Sequence, residues 1–187
     1  KLEEIQQSQM VAGNADSTIT VLNEDSLRQV QMKEAFGIFS DFTTGENEKI
    51  NLKNDLVSLS FSSKGGALTE ATLNKYKTHD SLPLTLFDEK DNEYGFIFKT
   101  GGRIVNTTDL FFKPIAGKDG KSVTMRLDFG NGKFFDLVYT LPEDSYMVKM
   151  DIRQKGMETI LPGNTASLDL FWNQNLRSQE KGRMFEE

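Results

Sequence analysis

The sequence predicts a mainly β protein, an antiparallel sheet or sandwich with one helix near its N-terminus. Three observations predict this class: apolar residues alternate with polar ones in many short runs, turn signals separate most of these runs, and no helical segments lie between them. Parallel strands need long crossover connections, usually helices, so this pattern favours antiparallel pairing.

Composition excludes several classes of function. The chain has 187 residues, with 22 Lys plus Arg against 28 Asp plus Glu, and its net charge is -6. An acidic chain lacks the concentrated basic face that nucleic acid requires. The absence of cysteine excludes disulfides, thiolate catalysis and cysteine-based metal sites. No apolar run reaches the roughly 20 residues of a membrane-spanning helix, and because the chain starts at Lys1 without a signal peptide we expect a piece of a longer protein.

We predict three segments along the chain. Residues 1–23 form a polar linker or tail in which residues 18–22 favour a short strand, residues 24–42 contain an amphipathic helix, and residues 43–187 form the β-sandwich. The helix covers about residues 26–40, with Ser26 and Gln29 as a capping box and a stop near Gly45. It packs on a sheet or binds a partner. Its incomplete apolar stripe comprises Leu27, Val30, Met32, Phe36, Ile38 and Phe39.

Strands are predicted wherever the sequence alternates with a period of two. Val57, Leu59 and Phe61 should point to one face, and Ser58, Ser60 and Ser62 to the other. Further runs are Ala67 to Leu73, Thr85 to Phe87, Tyr94 to Phe98, Val123 to Phe129, Phe135 to Leu141, Tyr146 to Ile152 and Leu168 to Trp172. Asn131-Gly132 predicts a two-residue hairpin turn, because both residues tolerate a positive φ. Pro162-Gly163-Asn164 marks another turn.

The Ser63-Lys64-Gly65-Gly66 stretch poses a choice between a phosphate-binding loop and a turn. A P-loop places its lysine after the glycines and continues into a helix, whereas here Lys64 precedes them and the following residues alternate like a strand. A turn between two strands is therefore favoured, since glycine supplies backbone conformations that other residues avoid.

The remaining chemical candidates also have structural interpretations. His79, the only histidine, adjoins Asp80, and we expect their side chains to point apart in an extended loop rather than form a catalytic pair. Asp88, Glu89, Asp91 and Glu93 indicate a solvated hairpin tip or a loose calcium site, with the calcium-loop pattern broken at Lys90. Trp172 belongs to the core or is exposed for binding. We predict no catalytic, cofactor or metal site.

The stretch from Asn54 to Leu68, with Leu73, Tyr76 and the Pro83 to Phe87 run, resembles the large periplasmic domain of the YidC family of bacterial membrane-protein insertases. Asp144 to Met150 resembles that domain's long middle strand, and the segment ending at Phe42 is similar to homologues from the Bacteroidetes group. The resemblance covers roughly residues 48–187. It implies a β-supersandwich similar to galactose mutarotases, here a partial domain that ends before its last strands.

The resemblance further implies a non-catalytic module on the periplasmic side of the bacterial inner membrane, in a parent with several membrane spans. The implied partners are Sec translocon components and nascent membrane proteins, and the binding face is unknown. An alternative is a sugar-binding or sugar-processing sandwich, and a third is a spacer, which predicts no large apolar surface patch. Because strands are expected to be missing, we predict an unpaired strand edge that a second copy covers.

Overall fold

The computed structural model describes residues 24–158 and 168–177. The chain divides into two compact units, Lys1–Ser40 and Asp41–Glu187. Strands make up 52% of the described residues and all pair antiparallel, which confirms the predicted fold class. Within the described ranges, no helix combines the length and the apolar character that a membrane crossing requires. The predictions for residues 1–23 and for the turn at Pro162 lie outside the described residues.

The N-terminal helix, α1, covers residues 24–36 and leads into a 3-10 helix, Gly37–Phe42. Gly37 has a φ of 59°, a conformation that glycine adopts readily and that ends the α-helix before the predicted stop at Gly45. Ser26 lies inside α1, so the predicted capping box is wrong. Leu27 and Val30 are exposed, while Phe39 is fully buried.

The second unit contains eleven described strands. They are β1 (Lys49–Lys53), β2 (Val57–Ser62), β3 (Ala67–Lys77), β4 (Pro83–Phe87), β5 (Asn92–Thr100), β6 (Arg103–Asn106), β7 (Lys113–Ala116), β8 (Ser122–Gly130), β9 (Lys133–Thr140), β10 (Lys149–Lys155) and β11 (Asp169–Gln174). A short 3-10 helix, Thr107–Asp109, follows β6. The strands form three sheets, in the orders β1-β2-β3-β4, β10-β9-β8-β7 and β11-β5-β6.

The core lies where the inner faces of these sheets meet. The predicted inward positions of β2, β8 and β9 are buried except for Phe129; the buried residues are Val57, Leu59, Phe61, Val123, Met125, Leu127, Phe135, Leu137 and Tyr139. Burial alternates along β8, whereas Ser62 of β2 and Asp136 and Val138 of β9 are buried as well. The Phe61 and Tyr139 rings are 4.7 Å apart, and those of Phe98 and Phe135 are 5.0 Å apart. The second sheet therefore packs on both of the others, which makes a sandwich.

The hairpin predicted at Asn131-Gly132 is confirmed. Gly130 pairs with Lys133, and the two loop residues have φ values of 51° and 74°, as a type I′ turn requires. The pairing shifts register between Asp128 and Gly130, and this irregularity leaves Phe129 half-buried at the end of its run.

The strand predicted to begin at Tyr146 instead begins at Lys149. The Asn54 side-chain amide donates to the carbonyls of Pro142 and Ser145 at 2.7 and 2.8 Å, and Met147 N–H donates to the Ser145 hydroxyl at 2.9 Å. These side-chain hydrogen bonds, two of them from the distant Asn54, satisfy the backbone without a partner strand. Tyr146 and Met147 therefore stay exposed in an irregular segment.

The turn at Ser63-Lys64-Gly65-Gly66 joins β2 to β3, as predicted, and its glycines have φ values of 79° and 63°. Gly65 N–H donates to the Leu110 carbonyl, and Phe112 N–H donates to the Ser63 carbonyl, both at 2.8 Å. Lys64 lies 5.9 Å from the centre of the Phe111 ring. The turn therefore ties the first sheet to the segment that leads into β7.

Candidate functional site

An apolar cleft of about 250 Å³ opens at one side of the sandwich. All three sheets line it: Phe87 of β4 from the first, Met150 of β10 from the second, and Leu170 and Trp172 of β11 from the third. Among the described strands, each of these is the last strand of its sheet. Three sheet edges therefore meet around one apolar depression, which is an arrangement suited to binding.

The walls of the cleft continue the face of the core. On β10, Met150 and Ile152 pair with Tyr139 and Leu137, and on β11, Leu170 and Trp172 pair with Phe96 and Tyr94. Since paired residues share a face, the apolar rows run outward from the core to the open edges. The outermost members are exposed: Met150 by 37%, Leu170 by 50% and Trp172 by 63%.

Two tyrosines form the floor of the cleft. Leu68 N–H donates to the Tyr94 oxygen at 2.9 Å, the two hydroxyl oxygens lie 2.8 Å apart, and the Tyr139 hydroxyl donates to the Gly66 carbonyl at 2.8 Å. A hydroxyl has one proton, so Tyr94 donates to Tyr139. Burial raises the pKa of Tyr94 and raises that of Tyr139 well above its ordinary value. Both hydroxyls therefore remain neutral donors at neutral pH.

Sequence reasoning did not single out this tyrosine pair. The available signal was a tyrosine at an inward position of each of two predicted strands, because a buried tyrosine needs a partner for its hydroxyl. The sequence could not show that Tyr94 and Tyr139, on strands of different sheets, would be each other's partner.

Trp172 is exposed because β11 is an edge strand. The interpretation of Trp172 as a core residue is therefore wrong, and the indole is exposed; that it serves for binding stays a prediction. The indole N–H donates to the side-chain oxygen Oδ1 of Asn92 at 2.7 Å, and the side-chain amide of Asn92 donates to the Leu68 backbone carbonyl at 2.8 Å. These bonds fix the orientation of the ring, which presents an apolar surface at the mouth of the cleft.

The outer edge of β11 offers backbone hydrogen-bonding groups. Asn175 N–H donates to the Asp91 carbonyl at 2.7 Å, in line with the β11–β5 register. In an antiparallel ladder alternate residues bond to the partner, so the N–H and C=O groups of Leu170, Trp172 and Gln174 point away from β5. In the described part of the chain no strand pairs with that side.

His79 lies in an exposed turn and lines neither this cleft nor the polar cleft of about 380 Å³ beside it. Its Nε2 is 3.0 Å from Asp80 Oδ2, so the expectation that the two side chains point apart is wrong. The backbone turns here instead of running extended, and the turn brings the neighbours together.

The acidic cluster of the β4–β5 turn binds a side chain of the protein itself. Arg177 contacts both Asp88, with Nη2 2.5 Å from Oδ2, and Asp91. A backbone hydrogen bond from Lys90 and the Arg177 guanidinium lower the pKa of Asp88. Among the described residues, no group of three or more His, Cys, Asp or Glu side chains is placed to hold a metal ion.

Known proteins match most of this chain. A model of the YidC periplasmic domain matches residues 49–185. The membrane protein insertase YidC of Parabacteroides distasonis is 44% identical over 164 residues, which are 87% of this chain and 26% of that protein. Insertases of the same name from Porphyromonas gingivalis and Phocaeicola vulgatus are 37% and 36% identical, over 87% and 82% of this chain and 26% and 25% of their own lengths.

The chain thus spans about a quarter of the length of these relatives. No solved structure matches it significantly. The relatives give no support to the sugar-binding alternative, and they confirm the resemblance that the Ser63-Lys64-Gly65-Gly66 turn and its flanking strands indicated. The chain belongs to the YidC periplasmic domain family.

Proposed function

We propose that this chain is the non-catalytic, protein-binding periplasmic module of an inner-membrane insertase, and that it assists the insertion and folding of membrane proteins. One observation carries the proposal: three edge strands surround a single apolar cleft, and two of them expose apolar side chains there, Met150 on β10 and Leu170 and Trp172 on β11. Exposed apolar patches next to unpaired strand edges are typical of surfaces that bind other polypeptides.

The ligand of the cleft is an extended polypeptide segment from a Sec translocon component or a nascent membrane protein. An added strand would hydrogen-bond to the outward backbone groups of Leu170, Trp172 and Gln174, and its alternate side chains would enter the cleft. The spacer alternative is disfavoured, since it predicted no apolar patch of this kind.

Site-specific photo-crosslinking in cells, in the full-length parent, tests this function. A probe at Met150 or Trp172 should give crosslinks to Sec subunits or to nascent membrane proteins. The control probe replaces Lys118, in the exposed β7–β8 turn, and should give none. Silence at Met150 and Trp172, with insertion by the parent intact, contradicts the proposal.

The same edges favour pairing of two copies of the chain, because an exposed strand edge can accept an identical strand. Analytical ultracentrifugation of the chain tests this expectation. A dimer that dissociates on Trp172→Ser supports pairing at β11, and a monomer at all concentrations argues against it.

A further inference from the structure

Strand β11 is one of three described strands without a buried residue, together with β7 and β10. None of its six residues is buried, whereas five of the eight residues of β9 are. Because hydrophobic stabilisation scales with the apolar area removed from water, burial holds β11 far less firmly than the core strands. Such elements open at low free energy while the rest of a domain stays folded.

Charged contacts secure both ends of β11. At its start, Lys99 Nζ of β5 lies 2.5 Å from Asp169 Oδ2. Beyond its end, Arg177 reaches Asp88 and Asp91 in the β4–β5 turn. Between these points the strand has its backbone pairing with β5, which the bond from Asn175 N–H to the Asp91 carbonyl extends. Trp172 adds its hydrogen bond to Asn92 and a contact with the Tyr94 ring, whose centre lies 6.1 Å from that of the indole.

The acidic turn does not depend on Arg177 for its shape. Asp91 N–H donates to the Asp88 carbonyl at 3.0 Å, and Lys90 N–H donates to Asp88 Oδ1 at 2.8 Å. The turn therefore keeps its conformation, and its binding site for a guanidinium, when Arg177 leaves. The two charged contacts, Lys99–Asp169 and Arg177 with Asp88 and Asp91, are here called the clasps of β11.

We propose that β11 is a releasable wall of the apolar cleft, and that its departure from β5 admits an extended polypeptide segment that pairs with β5 in its place. This proposal rests on the protein-binding function proposed above and changes its mode of pairing, since the segment pairs with β5 itself instead of with the outer edge of β11. The edge of β5 already accepts a strand, and the Tyr94 and Phe96 positions already face apolar side chains of that strand.

The incoming segment is defined by what it must replace. It runs antiparallel to β5 and carries large apolar side chains two positions apart, where Leu170 and Trp172 now lie. A basic residue near its end would take the position of Arg177 at Asp88 and Asp91.

Hydrogen exchange of the whole chain, followed by mass spectrometry, tests the release of β11. The Lys99→Gln/Arg177→Gln variant lacks both clasps. Exposed ion pairs contribute little each, so exchange of β11 and of the facing β5 amides should rise about three- to tenfold. The β8–β9 hairpin should exchange as in the wild type. High salt should likewise speed the hydrogen exchange of the β11 amides in the wild type, because salt screens exposed charges.

Lys49→Gln is the matched control. It removes the 2.7 Å pair with Glu89, which involves the same β4–β5 turn but connects it to β1 rather than to β11. Exchange of β11 should not change in this variant. If the double variant exchanges like the wild type, or if β11 exchanges only when the hairpin does, β11 is a fixed part of the sandwich and the proposal is wrong.

A peptide with the sequence of residues 168–177, carrying a fluorophore, tests the replacement step. It should bind the Asp169→Asn/Arg177→Gln variant about three- to tenfold more tightly than the wild type, because these changes weaken the intrachain β11 and leave Lys99, Asp88 and Asp91 available to the peptide. A peptide with serine at the positions of Leu170 and Trp172 should not bind. Equal binding to both proteins, or no binding, overturns the replacement step, while crosslinks from Met150 in the parent would still support the protein-binding function.

Discussion

The hydroxyl of Tyr139, on β9, donates a hydrogen bond to the carbonyl of Gly66, in the turn between β2 and β3. With Tyr94 and Leu68 this bond forms a chain of three hydrogen bonds that starts and ends beside the same turn. The chain involves all three sheets, so it makes the sandwich depend on a few polar atoms within an apolar core.

Replacing Tyr139 with Phe should destabilise the second unit. The change leaves the Gly66 carbonyl and the Tyr94 hydroxyl without their buried partner, which costs about 1–3 kcal/mol. Urea unfolding followed by circular dichroism measures the loss. Tyr146→Phe, at an exposed tyrosine, should leave the midpoint unchanged. An unchanged midpoint for Tyr139→Phe would mean that the network adds nothing to stability.

Stability should fall in alkali because of the same pair. Burial raises the pKa of Tyr94, and that of Tyr139 further. Above pH 10 the tyrosines of the unfolded chain ionise while the folded pair keeps its protons. The native state then binds more protons than the unfolded chain, so the free energy of unfolding falls as the pH rises.

Urea unfolding at pH 9 and pH 11 checks this expectation. The Tyr94→Phe/Tyr139→Phe variant should lose less stability between the two pH values than the wild type, since the other titrating groups are common to both proteins. Equal losses would show that the pair does not titrate differently in the folded and unfolded states.

Gly66→Ala separates backbone strain from packing when it is compared with Gly132→Ala. Both glycines have a positive φ, 63° and 74°, but a Cβ on Gly66 would lie 3.1 Å from the Phe112 ring, whereas Gly132 has open space around it. Strain alone costs about 1–2 kcal/mol, and crowding adds about 1–3 kcal/mol at Gly66. Differential scanning calorimetry should therefore give Gly66→Ala the lower Tm. Equal Tm values would mean that Phe112 moves aside freely.

Asp136→Asn should be costly although Asp136 is on the outer face of the second sheet. Asp136 is only 3% exposed. Its carboxylate accepts two hydrogen bonds from the Arg126 guanidinium, at 2.8 and 2.7 Å. The amide presents a donor to the guanidinium, at a cost of about 1.5–3 kcal/mol. In guanidinium chloride unfolding, the control Glu143→Gln, in an exposed pair with Lys121, should match the wild type. An unfolding midpoint of Asp136→Asn equal to that of the wild type would contradict the prediction.

Strand positions could be predicted where alternation and turn residues agreed. The β8–β9 hairpin follows from Asn131-Gly132 and its flanking runs, because local chemistry decides it. The segment at Tyr146 was mispredicted because its backbone bonds to Asn54, about 90 positions earlier, and periodicity carries no information about distant partners.

The cleft was beyond sequence reasoning for the same reason. Whether Trp172 is buried depends on which strand ends its sheet, and strand order is a property of the whole topology. The sequence of the acidic turn indicated a calcium site or a solvated hairpin tip. Its actual partner, Arg177, could not be predicted because it lies 86 positions away from Asp91.

The pairing of β11 with β5 also sets an order of events during synthesis. Trp172 and Asn92 are 80 positions apart, and β11 is the last described strand in the chain. The β8–β9 hairpin closes through two residues, so it can form within microseconds of emerging. The edge of β5 that binds β11 therefore stays unpaired during synthesis until β11 itself has been made.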